Sequence, residues 1–149
     1  MRTISVFLGL MLLSLIAQAQ LNPVSWSFEA KKISADAYDL IITAKIEKGW
    51  YVYSQYLESE EGPIPTHFTF AIDDDYRLAG ETLESGNKKE GFDEIFGMNL
   101  AKFSTKAVFT QRVNLLRKTN RISGSVEFMT CNDEQCLPPE TIAFSIMLK

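Results

Sequence analysis

The sequence predicts an all-β protein built as a two-sheet, antiparallel sandwich of the immunoglobulin type. From Trp26 onward, short segments alternate apolar and polar residues with a period of two, and turn residues separate them. No segment has the period of a convincing amphipathic helix, and there is neither an internal repeat nor a linker. About eight strands of this kind fit one domain over residues 20–149.

Residues 1–19 have the layout of a secretory signal peptide. Arg2 precedes an apolar run from Ile4 to Ile16, and Ala17-Gln18-Ala19 is typical of a cleavage site. The run is shorter than the roughly twenty apolar residues of a spanning helix. We therefore expect an exported domain, periplasmic or secreted, that is not inserted in a membrane after cleavage. An uncleaved anchor is the alternative.

The first strands follow directly from the alternation. Residues 26–30 and 38–46 each place apolar side chains on one side, with Ile41 as an exception. A turn at 47–49 leads into the aromatic strand Trp50-Tyr51-Val52-Tyr53. Because successive side chains point to opposite faces, this strand carries rings on both faces, and the core needs only one set.

Loops and strands also alternate along the rest of the chain. Loops are predicted over 58–65, which contains two prolines, and over 85–97, which is polar and holds three glycines. The alternation predicts that Ile72 faces inward together with Phe68. It also predicts that Thr105 lies on the apolar side of its strand. The remaining strands are predicted over 66–72, within 76–83, and over 103–115, 122–128 and 142–148.

The composition limits the function classes. The chain has 19 acidic and 15 basic residues and a net charge of −4, whereas nucleic acids and anionic membranes favour a basic face. No nucleotide-binding, hydrolase or metal-binding motif occurs in the sequence, so we expect no cofactor, no metal and no nucleic-acid partner. Asp73-Asp74-Asp75 lacks the spacing of a calcium loop. His67 falls on the polar side of its strand and is expected to be exposed. The sequence does not specify an oligomeric state.

The only two cysteines, Cys131 and Cys136, lie within the stretch 130–139. Four intervening residues between two predicted strands form a hairpin tip, so the sulfurs can face each other, and a bridge persists in an oxidising compartment. A loop of about six residues gains only about 2 kcal/mol from such a bridge. A bridge at a tip is also accessible to a thiolate. Two interpretations stay open: a redox-active pair, and a structural staple in a secreted binding module.

Asp133 and Glu134 lie between the two sulfurs. Their negative charges disfavour a thiolate. We therefore expect the pair to be attacked in its oxidised form and to pass electrons on under a partner's control, rather than to start the exchange itself.

Three stretches of the sequence resemble the N-terminal, periplasmic domain of the bacterial transmembrane thiol:disulfide interchange protein DsbD. They are 49–55, 93–97 and 131–140, and together with the length and the β pattern they cover most of the predicted mature chain. The resemblance implies an immunoglobulin-like fold. It also implies thiol–disulfide interchange, with electrons accepted from a thioredoxin-like domain and passed to periplasmic thioredoxin-fold proteins. Whether this amounts to a protein-disulfide reductase activity is left open.

The resemblance also assigns roles to individual residues. It implies that Cys136 forms the mixed disulfide and that Cys131 resolves it. A cap loop would cover the cysteines, with Ile95 and Phe96 as shielding side chains; it comprises Asp93, Glu94, Ile95, Phe96 and Gly97. Tyr51 and Tyr53 would flank the site. The alternatives are that this loop only packs on the edge of the core, and that the tyrosines are ordinary sandwich residues.

The sequence departs from the family pattern in two ways. Four residues separate Cys131 from Cys136, where the best-known members have five, which changes the hairpin tip but still permits a bridge. The printed chain also ends after the β-domain, without membrane and thioredoxin-like parts. We therefore expect the electron donor to be another protein.

Overall fold

The computed structural model describes residues 21–57 and 61–149. The predicted signal peptide lies outside the described residues. The described part of the chain contains no helix with the length and apolar character that a membrane crossing requires.

Nine β-strands form two antiparallel sheets in the described part of the chain. The first sheet contains β1, β2, β3, β5, β6 and β8, and the second contains β4, β7 and β9 in the order β4-β7-β9. The prediction of an all-β, two-sheet sandwich is confirmed. The strands are β1 Val24–Lys32, β2 Ala37–Ile46, β3 Tyr51–Tyr53, β4 His67–Phe70, β5 Tyr76–Asp93, β6 Met98–Leu115, β7 Arg121–Phe128, β8 Thr130–Cys131 and β9 Glu140–Met147.

The main core consists of the apolar sides of both sheets. Trp26 on β1 stands 5.0 Å from Phe128 on β7, measured between ring centroids. Phe68 on β4 stands at the same distance from Phe109 on β6. These contacts cross from one sheet to the other, so the alternating side chains of the two sheets meet in one apolar layer.

The sequence predicts a loop over the polar stretch 85–97, but the structure shows that this prediction is wrong. The stretch belongs mostly to β5, which continues to Asp93 and pairs with β6 from Met98. Only the tip, residues 94–97, connects the two long strands. The error has a physical cause: residues 85–92 of β5 lie at a sheet edge and are exposed on both sides, so they include charges and glycines of the kind that protect edges from further pairing.

Two further predictions about side-chain direction were wrong. Ile72 is fully exposed, because β4 ends at Phe70 and the chain leaves the sheet there. Thr105 is also exposed, because its φ of 67° breaks the alternation of β6. His67 is exposed, as predicted.

Strand β6 has two differently paired halves. Residues 106–114 pair with β2, and residues 102–104 pair with β3 along the same edge, while β5 follows the opposite edge. Thr105 lies where the partner changes from β2 to β3. Strand β8 adds to the free edge of β3. A small extension of the first sheet, made of β3, β8 and the tip half of the β5–β6 hairpin, thus projects beyond the β2-paired half.

The segment that follows β3 is held by a buried carboxylate on β5. Glu84 accepts hydrogen bonds from Ser54 Oγ at 2.5 Å and from the Gln55 amide at 3.0 Å, and it pairs with Lys88 Nζ at 3.2 Å. Burial raises the pKa of Glu84, but these hydrogen bonds and the lysine charge outweigh burial and leave its pKa lowered. The anchored segment leads directly to Leu57.

Glu84→Gln should make the stability of the protein less sensitive to acid. A carboxyl group whose pKa is lowered by folding stabilises the protein above its unfolded pKa of about 4.3, and this stabilisation is lost as the pH falls through the folded value. The wild-type melting temperature should therefore fall more steeply than that of the variant below about pH 4.3, measured by calorimetry. Glu29→Gln, an exposed change on β1, is the control. Parallel curves for wild type and Glu84→Gln would contradict the prediction.

Candidate functional site

The two cysteines form a disulfide at the edge of the first sheet. Cys131 and Cys136 are joined with their Cα atoms 4.0 Å apart, and they face each other as an isolated antiparallel bridge. Asn132 shapes the turn between them, since its Oδ1 accepts hydrogen bonds from the amides of Glu134 at 2.9 Å and Gln135 at 2.8 Å. The predicted hairpin tip is therefore present.

The strands that flank this tip differ from the simple hairpin that the sequence predicts. Phe128 ends β7 in the second sheet, whereas Thr130 already belongs to the first sheet. The chain changes sheets at Met129, forms the disulfide loop, and returns to the second sheet in β9. This crossing places Cys131 directly opposite Tyr51.

The two sulfur-bearing residues differ in exposure. Cys131 is fully buried, whereas Cys136 is only partly buried. Cys136 is therefore the cysteine that a second molecule reaches more easily.

The disulfide belongs to a second apolar cluster on the outer face of β3. Tyr51, Tyr53, Leu100 and Cys131 form its buried centre. Val52, between the two tyrosines, packs into the main core instead. Both faces of the aromatic strand are thus covered, one by the sandwich and one by the disulfide cluster. Partly buried side chains surround the centre: Leu57, Phe96, Met98, Met129 and Cys136.

Residues 94–97 at the tip of the β5–β6 hairpin lie at this cluster. The ring of Phe96 meets the ring of Tyr53 edge to face, with centroids 5.9 Å apart. Ile95 is 44% exposed and lies outside the cluster, as does the exposed Phe92. The structure thus brings Cys131, Cys136, Tyr51, Tyr53 and Phe96 together, whereas Glu94, Ile95 and Gly97 lie at the exposed surface of the tip.

Asp93 organises the hairpin tip. Its Oδ1 accepts hydrogen bonds from the amides of Ile95 at 3.0 Å and Phe96 at 3.3 Å. Its carbonyl oxygen accepts one from the Gly97 amide at 2.8 Å, and Gly97 has the positive φ of 66° that such a turn requires. The tip is therefore a defined turn that directs Phe96 toward the cluster.

Lys102 also lies at this site, although the sequence did not predict it as a site residue. Its Nζ lies 3.0 Å from Asp93 Oδ2 and 3.8 Å from the centroid of the Tyr51 ring. Tyr51 in turn donates its hydroxyl proton to the carbonyl oxygen of Asn132 at 2.9 Å. The alternation of side chains could have indicated the position of Lys102, because residues two apart share a strand face and Lys102 therefore lies on the same face as the apolar Leu100.

The tyrosines and Lys102 keep their ordinary protonation states at neutral pH. Burial raises the pKa of Tyr51, partly offset by the nearby Lys102 charge. Burial and then Asp93 raise the pKa of Tyr53, whose hydroxyl has no hydrogen-bond partner in the described structure. Burial lowers the pKa of Lys102, but the hydrogen bond to Asp93 and the interactions with Tyr51 and the Asp93 charge together outweigh burial, so that pKa is raised. The chemistry available at this cluster is therefore that of the disulfide itself.

A known protein family matches most of the chain. Residues 18–147 match the family model described as the N-terminal part of the thiol:disulfide interchange protein DsbD. No curated protein sequence matches the chain significantly.

Two solved structures share the fold. The reduced N-terminal domain of Neisseria meningitidis DsbD has a TM-score of 0.56 at 18% identity, covering 86% of this chain and 90% of that one. The N-terminal periplasmic domain of ScsB from Proteus mirabilis has a TM-score of 0.55 at 15% identity, covering 84% of this chain and 44% of that one. At these identities the likeness concerns the fold alone.

Proposed function

Because the chain belongs to the family of DsbD N-terminal domains, we propose that it relays electrons between thioredoxin-fold proteins through the Cys131–Cys136 pair. It is a domain of a thiol–disulfide interchange family and contains a disulfide-bonded cysteine pair. The donor, the client and the periplasmic location are parts of the proposal.

One observation carries the proposal: the disulfide has one buried and one partly exposed cysteine, beside a preformed apolar turn. A purely structural bridge needs no such asymmetry. In thiol–disulfide exchange, however, the choice of the attacked sulfur decides the product. Exposure favours attack at Cys136, while Cys131 stays inside the cluster as the leaving and resolving group.

Thiol–disulfide exchange between the donor and this domain proceeds in two steps. A thiolate of the donor attacks Sγ of Cys136, the Cys131–Cys136 bond breaks, and Cys131 leaves as a thiolate that takes a proton from water. The donor's second thiolate then attacks the mixed disulfide, releases Cys136, and closes a disulfide in the donor. Two electrons have moved to the domain, which passes them on when Cys136 attacks a client disulfide and Cys131 resolves the complex.

We also propose that the hairpin tip acts as a cap over the disulfide. Phe96 is packed against the cluster that contains Cys131, and the Asp93 turn holds it there. An apolar cover of this kind would slow small oxidants and thiols, while a large complementary surface could displace it. Tyr51 and Tyr53 belong to the buried part of the cluster against which this cap packs.

Cys131→Ala should form a stable mixed disulfide through Cys136. The probe is a thioredoxin variant that keeps only its first active-site cysteine, loaded with thionitrobenzoate. Attack by Cys136 links the two proteins and releases one coloured thionitrobenzoate for each complex. No complex can be resolved, since both resolving cysteines are absent.

Cys136→Ala is the matched control, because it leaves only the buried Cys131. We expect it to react with the same probe at least tenfold more slowly, given the dependence of exchange on access. Equal rates would contradict the roles assigned to the cysteines. Failure of both variants, together with a wild-type reduction potential well below about −300 mV, would identify the bridge as a structural staple.

A further inference from the structure

A continuous chain of polar contacts connects the hairpin tip to the disulfide loop. It runs from the amides of Ile95 and Phe96 to Asp93, from Asp93 to Lys102, from Lys102 to the ring of Tyr51, and from the Tyr51 hydroxyl to Asn132. We propose that Lys102 is a positioning residue that couples these two loops, so that the tip cannot leave the cluster without disturbing the disulfide loop. This inference deepens the proposed function, because it concerns access to the same sulfurs.

At the tip, Lys102 neutralises a buried charge. The side chain of Asp93 is 2% exposed, and that of Lys102 is 26% exposed. A buried carboxylate is unfavourable unless a cation and hydrogen bonds compensate for its lost hydration. Asp93 receives both, since Oδ2 faces Lys102 while Oδ1 accepts the two tip amides. The turn therefore depends on Lys102 for its charge balance.

At the disulfide loop, the same ammonium group lies over the ring of Tyr51. A cation 3.8 Å from a ring centroid is held by the negative face of the ring. Tyr51 is in register with Cys131, and its hydroxyl binds the residue that follows Cys131. The Asn132 side chain then holds the amides of Glu134 and Gln135. The position of Tyr51 thus determines where the loop starts.

The two contacts of Lys102 make the loops interdependent. When the tip moves away, Asp93 leaves Lys102, and the ammonium group is no longer fixed over Tyr51. When the disulfide loop rearranges, Tyr51 loses Asn132 as an acceptor and can shift beneath Lys102. By thermodynamic reciprocity, the factor by which displacement of the tip favours the rearranged loop equals the factor by which rearrangement of the loop favours the displaced tip.

The test replaces Lys102 with methionine, which keeps the length of the side chain and removes its charge. We expect the rate constant for reduction of the wild-type disulfide by dithiothreitol to rise roughly tenfold or more in Lys102→Met, given the strength of hydrogen bonds to charged groups. Loss of a positive charge by itself would slow an anionic thiolate. A faster reaction therefore reports access to the sulfurs rather than a change in local charge.

Two further variants serve as controls. Lys106→Met removes another lysine of β6, which is exposed in the half of that strand that pairs with β2, and it should leave the rate unchanged. Lys102→Arg should restore the wild-type rate, because a guanidinium group pairs with carboxylates and stacks on rings. An unchanged rate in Lys102→Met, or an equal increase in Lys106→Met, would overturn the inference.

Hydrogen exchange gives a second readout that general destabilisation would not reproduce. Exchange at the amides of Ile95 and Phe96 should differ between the oxidised and reduced wild-type protein, and this difference should shrink in Lys102→Met. If that variant does not fold, Asp93→Asn provides the same test, since its Oδ1 can still accept the hydrogen bonds of both tip amides while the ion pair with Lys102 is lost. Neither readout requires a protein partner, so the coupling and the proposed relay can fail independently.

Discussion

Replacing Phe109 with alanine should lower the free energy of unfolding by about 3–5 kcal/mol. Phe109 is fully buried at the centre of the aromatic core. Its ring centroid lies 5.0 Å from that of Phe68, 6.0 Å from that of Trp26 and 5.9 Å from that of Phe103. The substitution removes the apolar ring and leaves a cavity between rigid sheets that cannot collapse fully.

Urea unfolding followed by tryptophan fluorescence measures this effect. The midpoint should fall while the dependence on urea stays constant, which would show that the surface exposed on unfolding has not changed. Leu83→Ala is the matched control, because Leu83 is apolar but 69% exposed on β5, and its loss should change stability by no more than about 0.5 kcal/mol. A loss below about 1 kcal/mol in Phe109→Ala would mean that this part of the core can repack.

Gly86→Ala should destabilise the protein by a comparable amount. Gly86 lies where the register of β5 against β6 shifts, and its φ of 130° is rarely adopted by other residues. An added Cβ atom would also overlap the carbonyl oxygen of Lys106, which is backbone and cannot move aside. The backbone conformation costs about 1–3 kcal/mol, and the overlap adds about 1–3 kcal/mol.

This substitution should also disturb the candidate site. Gly86 separates the β2-paired half of the hairpin from the half that carries Asp93 and Phe96, so a distorted joint shifts the tip. We expect weaker protection of the Phe96 amide as well as a lower urea midpoint. Gly91→Ala is the control on the same strand, because its Cβ atom would meet nothing within 4 Å. Equal stability of the two variants would show that the β5 irregularity is adaptable.

Alternation alone was sufficient to predict the strands that face the main core. Residues such as Leu40, Ile42 and Val126 are buried where the period of two places them, because burial of one sheet face imposes that period on the sequence. The same rule indicated that the rings of Tyr51 and Tyr53 needed a second environment. The structure provides it in the disulfide cluster.

Alternation failed where the chain is not a half-buried strand. The stretch 85–92 was predicted as a loop because it is an edge strand exposed on both sides, and such a strand has no buried apolar face that would produce an alternating pattern. Thr105 was placed inward because a single positive φ is not visible in a run of alternating residues. In both cases the pairing of the backbone determines the local structure, and the pattern of polar and apolar side chains does not reveal this pairing.

From the sequence alone we could predict the all-β class, the one possible pairing of the two cysteines and the stretches that resemble the family. Each of these depends on residue type and short spacing. The three-dimensional structure was needed to show that Lys102 pairs with Asp93 at the hairpin tip, that Cys131 is buried while Cys136 is partly exposed, and that β8 pairs with β3. These features depend on the path of the chain between sheets, and residues far apart in the sequence meet there only after that path is established.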